Sequence, residues 1–140
     1  MNQPQVIESI FKFMKEFREQ LDRELKLANL DYNPVFYKVL KLVASIPNCT
    51  AQKITTIFGK DKALVTRIIK EMVNLDLIEQ ERDKKDSRKK ILSLTAKGRD
   101  TLITFQEVQG KLEKLITSSV SPEEIEVFLK VINSIKSDIS

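Results

Sequence analysis

Apolar positions recur at helical steps along most of the chain and switch to short, strand-like runs only near its centre. Residues 5 to about 28 set Ile7, Ile10, Met14, Phe17, Leu21, Leu25 and Ala28 three or four apart, with charged residues between them. This spacing predicts a long amphipathic helix. Asn33-Pro34 suits a helix start, and Phe36, Val39, Leu40, Val43 and Ala44 carry the same period until Ile46-Pro47 stops it. Thr50 is suited to cap a shorter helix containing Ile54, Ile57 and Phe58, and Gly59 follows where a left-handed residue costs least. Asp61 then caps a helix whose inward face is Leu64, Val65, Ile68, Ile69, Met72 and Val73. Two helices joined by a tight glycine turn make a helix-turn-helix pattern.

The period changes at residue 77. Leu77 to Arg82 and Lys90 to Thr95 read as short strands around the polar loop Asp83-Lys84-Lys85-Asp86-Ser87-Arg88, and they pair as a hairpin with a basic tip. Helical spacing returns with Leu102, Ile103, Phe105, Val108, Leu112, Leu115 and Ile116. Ser121-Pro122-Glu123-Glu124 then supplies the elements of a capping box for a last helix running to about Asp138. The predicted order is helices, hairpin, helices.

Composition removes most enzyme readings. The 140 residues include no His and no Trp, and the single Cys49 has no partner for a disulfide or a paired-cysteine metal site. No paired carboxylates and no glycine-rich phosphate loop stand in for them, so no catalytic residue, metal or cofactor is expected. No apolar run approaches the length of a membrane span, and Met1-Asn2-Gln3-Pro4-Gln5 lacks the features of a secretory signal. A cytoplasmic protein is expected.

Charge is unevenly placed. Residues 50 to 98 hold 12 Lys and Arg against 7 Asp and Glu, whereas the rest of the chain holds 12 against 13. Within the nine residues Arg82 to Lys90, six are basic and two acidic. Such a density attracts polyanions, although short charge runs are also common in solvated loops. Lys62, Ala63, Thr66, Arg67 and Lys70 share the outward side of the second helix of the helix-turn-helix, and a helix of that width fits a DNA major groove. Arg88 in the hairpin loop suits a narrow minor groove, with Lys84, Lys85, Lys89 and Lys90 placed for phosphates. Asp83 and Asp86, with Arg82 beside them, read as residues that shape the loop.

These segments resemble the MarR family. Asp86-Ser87-Arg88-Lys89-Lys90-Ile91-Leu92-Ser93-Leu94-Thr95-Ala96-Lys97-Gly98 is similar to that family's wing signature, D-x-R-x-x-x-L-x-L-T-x-x-G. Phe58 to Arg67 resembles its turn and recognition helix. Three positions depart from the family pattern: Lys60 stands where an apolar residue is usual, Asp76 where Gly is common, and Gln80 where Arg is usual. Asp tolerates the left-handed turn, and loss of the Arg leaves Asp86 to pair with Arg82 or Arg67.

The resemblance implies a mainly α fold with a small β-hairpin, a winged helix-turn-helix with N- and C-terminal dimerisation helices. A single domain over residues 1–140 is expected, with about 33–98 binding DNA and about 5–28 and 99–138 forming the dimer. Terminal apolar surface too large for the winged part to cover also argues for a homodimer. The implied function is a dimeric, sequence-specific regulator of transcription that binds double-stranded DNA, a repressor relieved by a small aromatic effector or by thiol oxidation. Phe13, Phe17, Tyr32 and Tyr37 are candidates for lining an effector crevice. Cys49 does not match the N-terminal-helix cysteine of the family's peroxide sensors. The alternative is a winged helix that binds a protein partner without specific DNA binding.

Overall fold

A computed structural model describes residues 5–59 and 61–140, so the departure at Lys60 and the first four residues of the chain lie outside the described residues. The elements run α1 (Val6–Leu27), α2 (Pro34–Ser45), α3 (Ala51–Phe58), α4 (Lys62–Asn74), β1 (Ile78–Arg82), β2 (Lys90–Leu94), α5 (Ala96–Thr117) and α6 (Pro122–Ile139). Five of the six helices start on a side-chain cap. Asn33 accepts from Val35 N–H, Thr50 from Lys53 N–H, Asp61 from Ala63 N–H and Thr95 from Gly98 N–H. Ser121 and Glu124 satisfy each other's backbone N–H in a complete capping box. Gly59 ends α3 at φ 62°, and Asp76 takes φ 59° just beyond α4, where the short carboxylate side chain tolerates the left-handed turn.

The two strands pair antiparallel, with Ile78 opposite Leu94, Gln80 opposite Leu92 and Arg82 opposite Lys90. An isolated two-stranded hairpin is marginal in water. Here Leu77, Ile78 and Leu92 are buried, and Leu92 N–H donates to the Cys49 carbonyl at 2.8 Å, which ties β2 to the segment entering α3. Leu77 lies outside the strand. Its N–H donates to the Met72 carbonyl, finishing α4, and Thr95 serves as the cap of α5 rather than as a strand residue.

The tightest packing is central. Tyr37, Val39, Leu40, Cys49, Ile54, Val65, Ile69, Met72, Leu77 and Ile78 are almost wholly buried, joining α2, α3, α4 and β1. Of the predicted core positions, Ala44, Ile57 and Val73 are exposed, because the buried arc of each helix is narrower than its apolar stripe. The ends differ sharply. Leu25 is buried in α1, Leu102, Val108 and Leu112 are buried in α5, and α6 buries no residue. Its Phe128, Leu129, Val131, Ile132 and Ile135 face solvent, as do Ile7, Phe11 and Phe13 on α1. No helix among the described residues is long and apolar enough to cross a membrane.

Candidate nucleic-acid interface

The outward face of α4 and the hairpin enclose one open cleft of about 880 Å³. Lys62 and Thr66 line it from α4, and Arg88, Lys89 and Lys90 line it from the loop and the start of β2. Burial of Val65, Ile68, Ile69 and Met72 fixes the rotation of α4 and so leaves Lys62, Ala63, Thr66, Arg67 and Lys70 in solvent. Lys70 joins Thr66 and Lys90 along an adjoining recess. Ala63, Arg67, Lys84 and Lys85 are exposed outside the cleft, the two lysines at the hairpin tip. Thr66 also returns a hydrogen bond to the Lys62 carbonyl at 2.8 Å, which leaves its methyl group free to make contacts.

Sequence reasoning missed part of this surface. Gln52, Lys53 and Thr56 of α3 form one wall of the cleft, Gln80 of β1 lies at its base, and exposed Ile57 adds an apolar patch. The spacing 52, 53, 56 marks one helix face and was the available signal. Lys53 is partly engaged, donating to the Pro47 and Asn48 carbonyls at 3.3 and 3.2 Å.

The hairpin loop is held by its own acids. Asp83 accepts from Lys85 N–H at 3.0 Å, and Asp86 accepts from Arg88 N–H at 3.1 Å. Backbone bonds from Asp83 N–H to Lys89 O and from Lys89 N–H to Asp86 O close the turn. Arg88 also places its Nε 3.2 Å from the same Asp86 oxygen, so the expected pairing of Asp86 with Arg82 or Arg67 does not form. The loop is short enough that a residue two positions along the chain reaches Asp86 first. Side-chain and backbone bonds from Arg88 hold the Asp86 carboxyl below its ordinary pKa, with Lys89 adding to the effect. The Arg88 side chain stays 90% exposed.

The four aromatic candidates do not share a crevice. Phe13 and Phe17 stack at 5.8 Å and line a cleft of about 350 Å³ between α1 and α5, opposite Leu112, Leu115 and Ile116. Tyr37 is buried and stacks face to face on Phe105 at 4.1 Å, with Tyr32 edge-on at 6.4 Å. Helical spacing reveals that such residues share a stripe, but not which neighbouring helix the stripe meets. Burial pushes the Tyr37 phenol up, and its hydroxyl has no hydrogen-bond partner of sound geometry; the nearby Tyr32 backbone offsets the rise only in part. Burial likewise pushes the Cys49 thiol up, with partial relief from Lys53, which suppresses the reactive thiolate. Among the described residues no three His, Cys, Asp or Glu side chains come together to hold a metal ion.

A helix-turn-helix followed by a two-stranded hairpin, with cations on both, defines a winged helix. Residues 33–90 match the model of the MarR family. The whole chain also has the six-helix, winged-helix arrangement of solved MarR structures. Its fold is similar to Staphylococcus aureus MarR in complex with salicylate and kanamycin, at 20% identity and TM-score 0.80, covering 96% of this chain and 89% of that one. It is also similar to an S. aureus MepR variant bound to an oligodeoxyribonucleotide, at 17% identity and TM-score 0.66, covering 99% and 100%. Ligand-free MarR from E. coli gives 18% identity and TM-score 0.72, covering 96% and 98%. No curated protein sequence matches the chain.

Proposed function

We propose that the protein is a cytoplasmic, dimeric, sequence-specific DNA-binding repressor without catalytic activity, released from its operator by a small aromatic effector. The observation that carries this reading is the cleft flanked by Lys62 and Thr66 on one side and Arg88, Lys89 and Lys90 on the other. Helix α4 fills a major groove, and the hairpin loop sends Arg88 into the flanking minor groove. The bare apolar face of α6 supports a dimer, which presents two such surfaces to two half-sites about one helical turn apart. The Phe13–Phe17 cleft supports an aromatic effector, and a similar protein binds salicylate.

Titration against duplexes selected from random DNA tests the reading. If about six phosphates are contacted, the log-log dependence of affinity on salt has a slope near −5. Arg67→Ala is expected to cost about 1–3 kcal/mol per half-site and to relax base preference if the side chain reads guanine. Arg88→Ala is expected to weaken sites with A/T-rich flanks most. A flat salt response, or no binding to any selected duplex, favours a winged helix that docks on a protein.

A further inference from the structure

The end of α4 and the start of α5 are locked together at one point. Three consecutive carbonyls just past the end of α4 are all taken by residues at the start of α5. Lys97 Nζ donates to Leu75 O at 2.9 Å, the Thr95 hydroxyl donates to Asp76 O, and Thr95 N–H donates to Leu77 O at 3.2 Å. The same Thr95 hydroxyl accepts from Gly98 N–H at 2.9 Å, so one oxygen caps α5 and grips the turn after α4. Gly98 permits the contact: a Cβ there would overlap the Leu77 carbonyl oxygen, a backbone atom that cannot swing aside. Asp76 contributes by taking the left-handed conformation that turns its carbonyl toward Thr95.

We propose that Thr95 and Gly98 are positioning residues that make α4 and α5 one rigid body, so that α5 sets the angle and separation of the two recognition helices in the dimer. The junction lies away from the cleft and none of its side chains lines that surface. Its effect on recognition is therefore geometric. A rigid junction makes binding depend steeply on half-site spacing, because a recognition helix that cannot pivot cannot follow a displaced groove. The spacing consequence rests on the DNA-binding reading, while the rigidity of the junction does not.

Two measurements on Thr95→Val and Thr95→Ser separate these. In amide exchange of the free protein, Thr95→Val is expected to deprotect Leu75, Asp76 and Leu77 while the α2 and α3 core amides stay protected. Thr95→Ser, which keeps the hydroxyl, is expected to restore them. In titrations against duplexes whose half-sites are moved apart one base pair at a time, Thr95→Val is expected to lose about tenfold at the best spacing, the equivalent of one hydrogen bond. Its affinity then varies less with spacing than that of the parent, and Thr95→Ser follows the parent profile. Gly98→Ala should reproduce the flattened profile if it folds; the Thr95 pair decides the matter if it does not. Unchanged protection in Thr95→Val overturns the rigid junction, and unchanged spacing dependence overturns its role in recognition. Failure of the parent to bind any duplex overturns the DNA reading, and with it the role in recognition, while the exchange measurement still decides the junction.

Discussion

Helices α2 and α6 are both amphipathic, yet the 12-residue α2 buries Phe36, Tyr37, Val39, Leu40 and Val43 whereas the 18-residue α6 buries nothing. The centre of the molecule closes its core within one chain. The ends also carry apolar stripes but leave them in water, where each large side chain forgoes about 1.5–3 kcal/mol of burial. A monomer rarely sustains so broad an apolar face. The winged part therefore folds around itself, whereas the terminal helices leave bare the apolar face on which the proposed dimer rests.

The largest expected effect falls on the ends. Replacing Phe128 and Ile132 together by Asp puts two charges on the face that a partner would desolvate, at several kcal/mol each. The prediction is a monomer at micromolar concentration by sedimentation, with helical content of the centre retained; a persistent dimer would move the interface elsewhere. Next comes the centre. Met72 of α4 is fully buried, and Met72→Ala is expected to cost about 2–5 kcal/mol in denaturant unfolding. That loss should be the same at every protein concentration, whereas the α6 change should matter most in dilute solution. Equal concentration dependence in both variants would erase the distinction between the regions.

A smaller effect tests how closed the centre is. Cys49 is 1% exposed and its thiol is raised above the ordinary 9.0. A raised folded value favours the neutral thiol in the native state. Its contribution to stability is full below pH 9.0 and is lost as pH rises through the folded value. Thiol labelling should proceed only as fast as the fold opens, and Cys49→Ser should leave DNA binding insensitive to peroxide, as in the parent. Fast labelling of the native protein would show that the centre is looser than its packing implies.

Local chemistry was the most legible part of the sequence. Thr50, Asp61 and Ser121 announce helix starts because each cap bonds to an N–H two or three positions on, and all three bonds form. The wing signature likewise lies within one short segment. What the sequence could not reveal depends on width and partnership in space. Ile57 and Val73 sit on apolar stripes but beyond the arc that meets a neighbour. Phe17 and Tyr37 look alike as helix positions and end against different turns of α5. Gln52, Lys53 and Thr56 share a helix face, but only the fold shows that this face lines the same cleft as Arg88, Lys89 and Lys90.

The acidic pair in the basic hairpin tip has a consequence for association. Four hydrogen bonds from backbone N–H groups within Asp83 to Lys89 fix the loop before anything binds it. Ordering a free loop at the moment of binding costs roughly 1–2 kcal/mol per residue in conformational entropy. In this chain most of that cost is met on folding, so the two carboxylates that weaken the attraction for a polyanion also spare the encounter the larger penalty of freezing a flexible arm around Arg88.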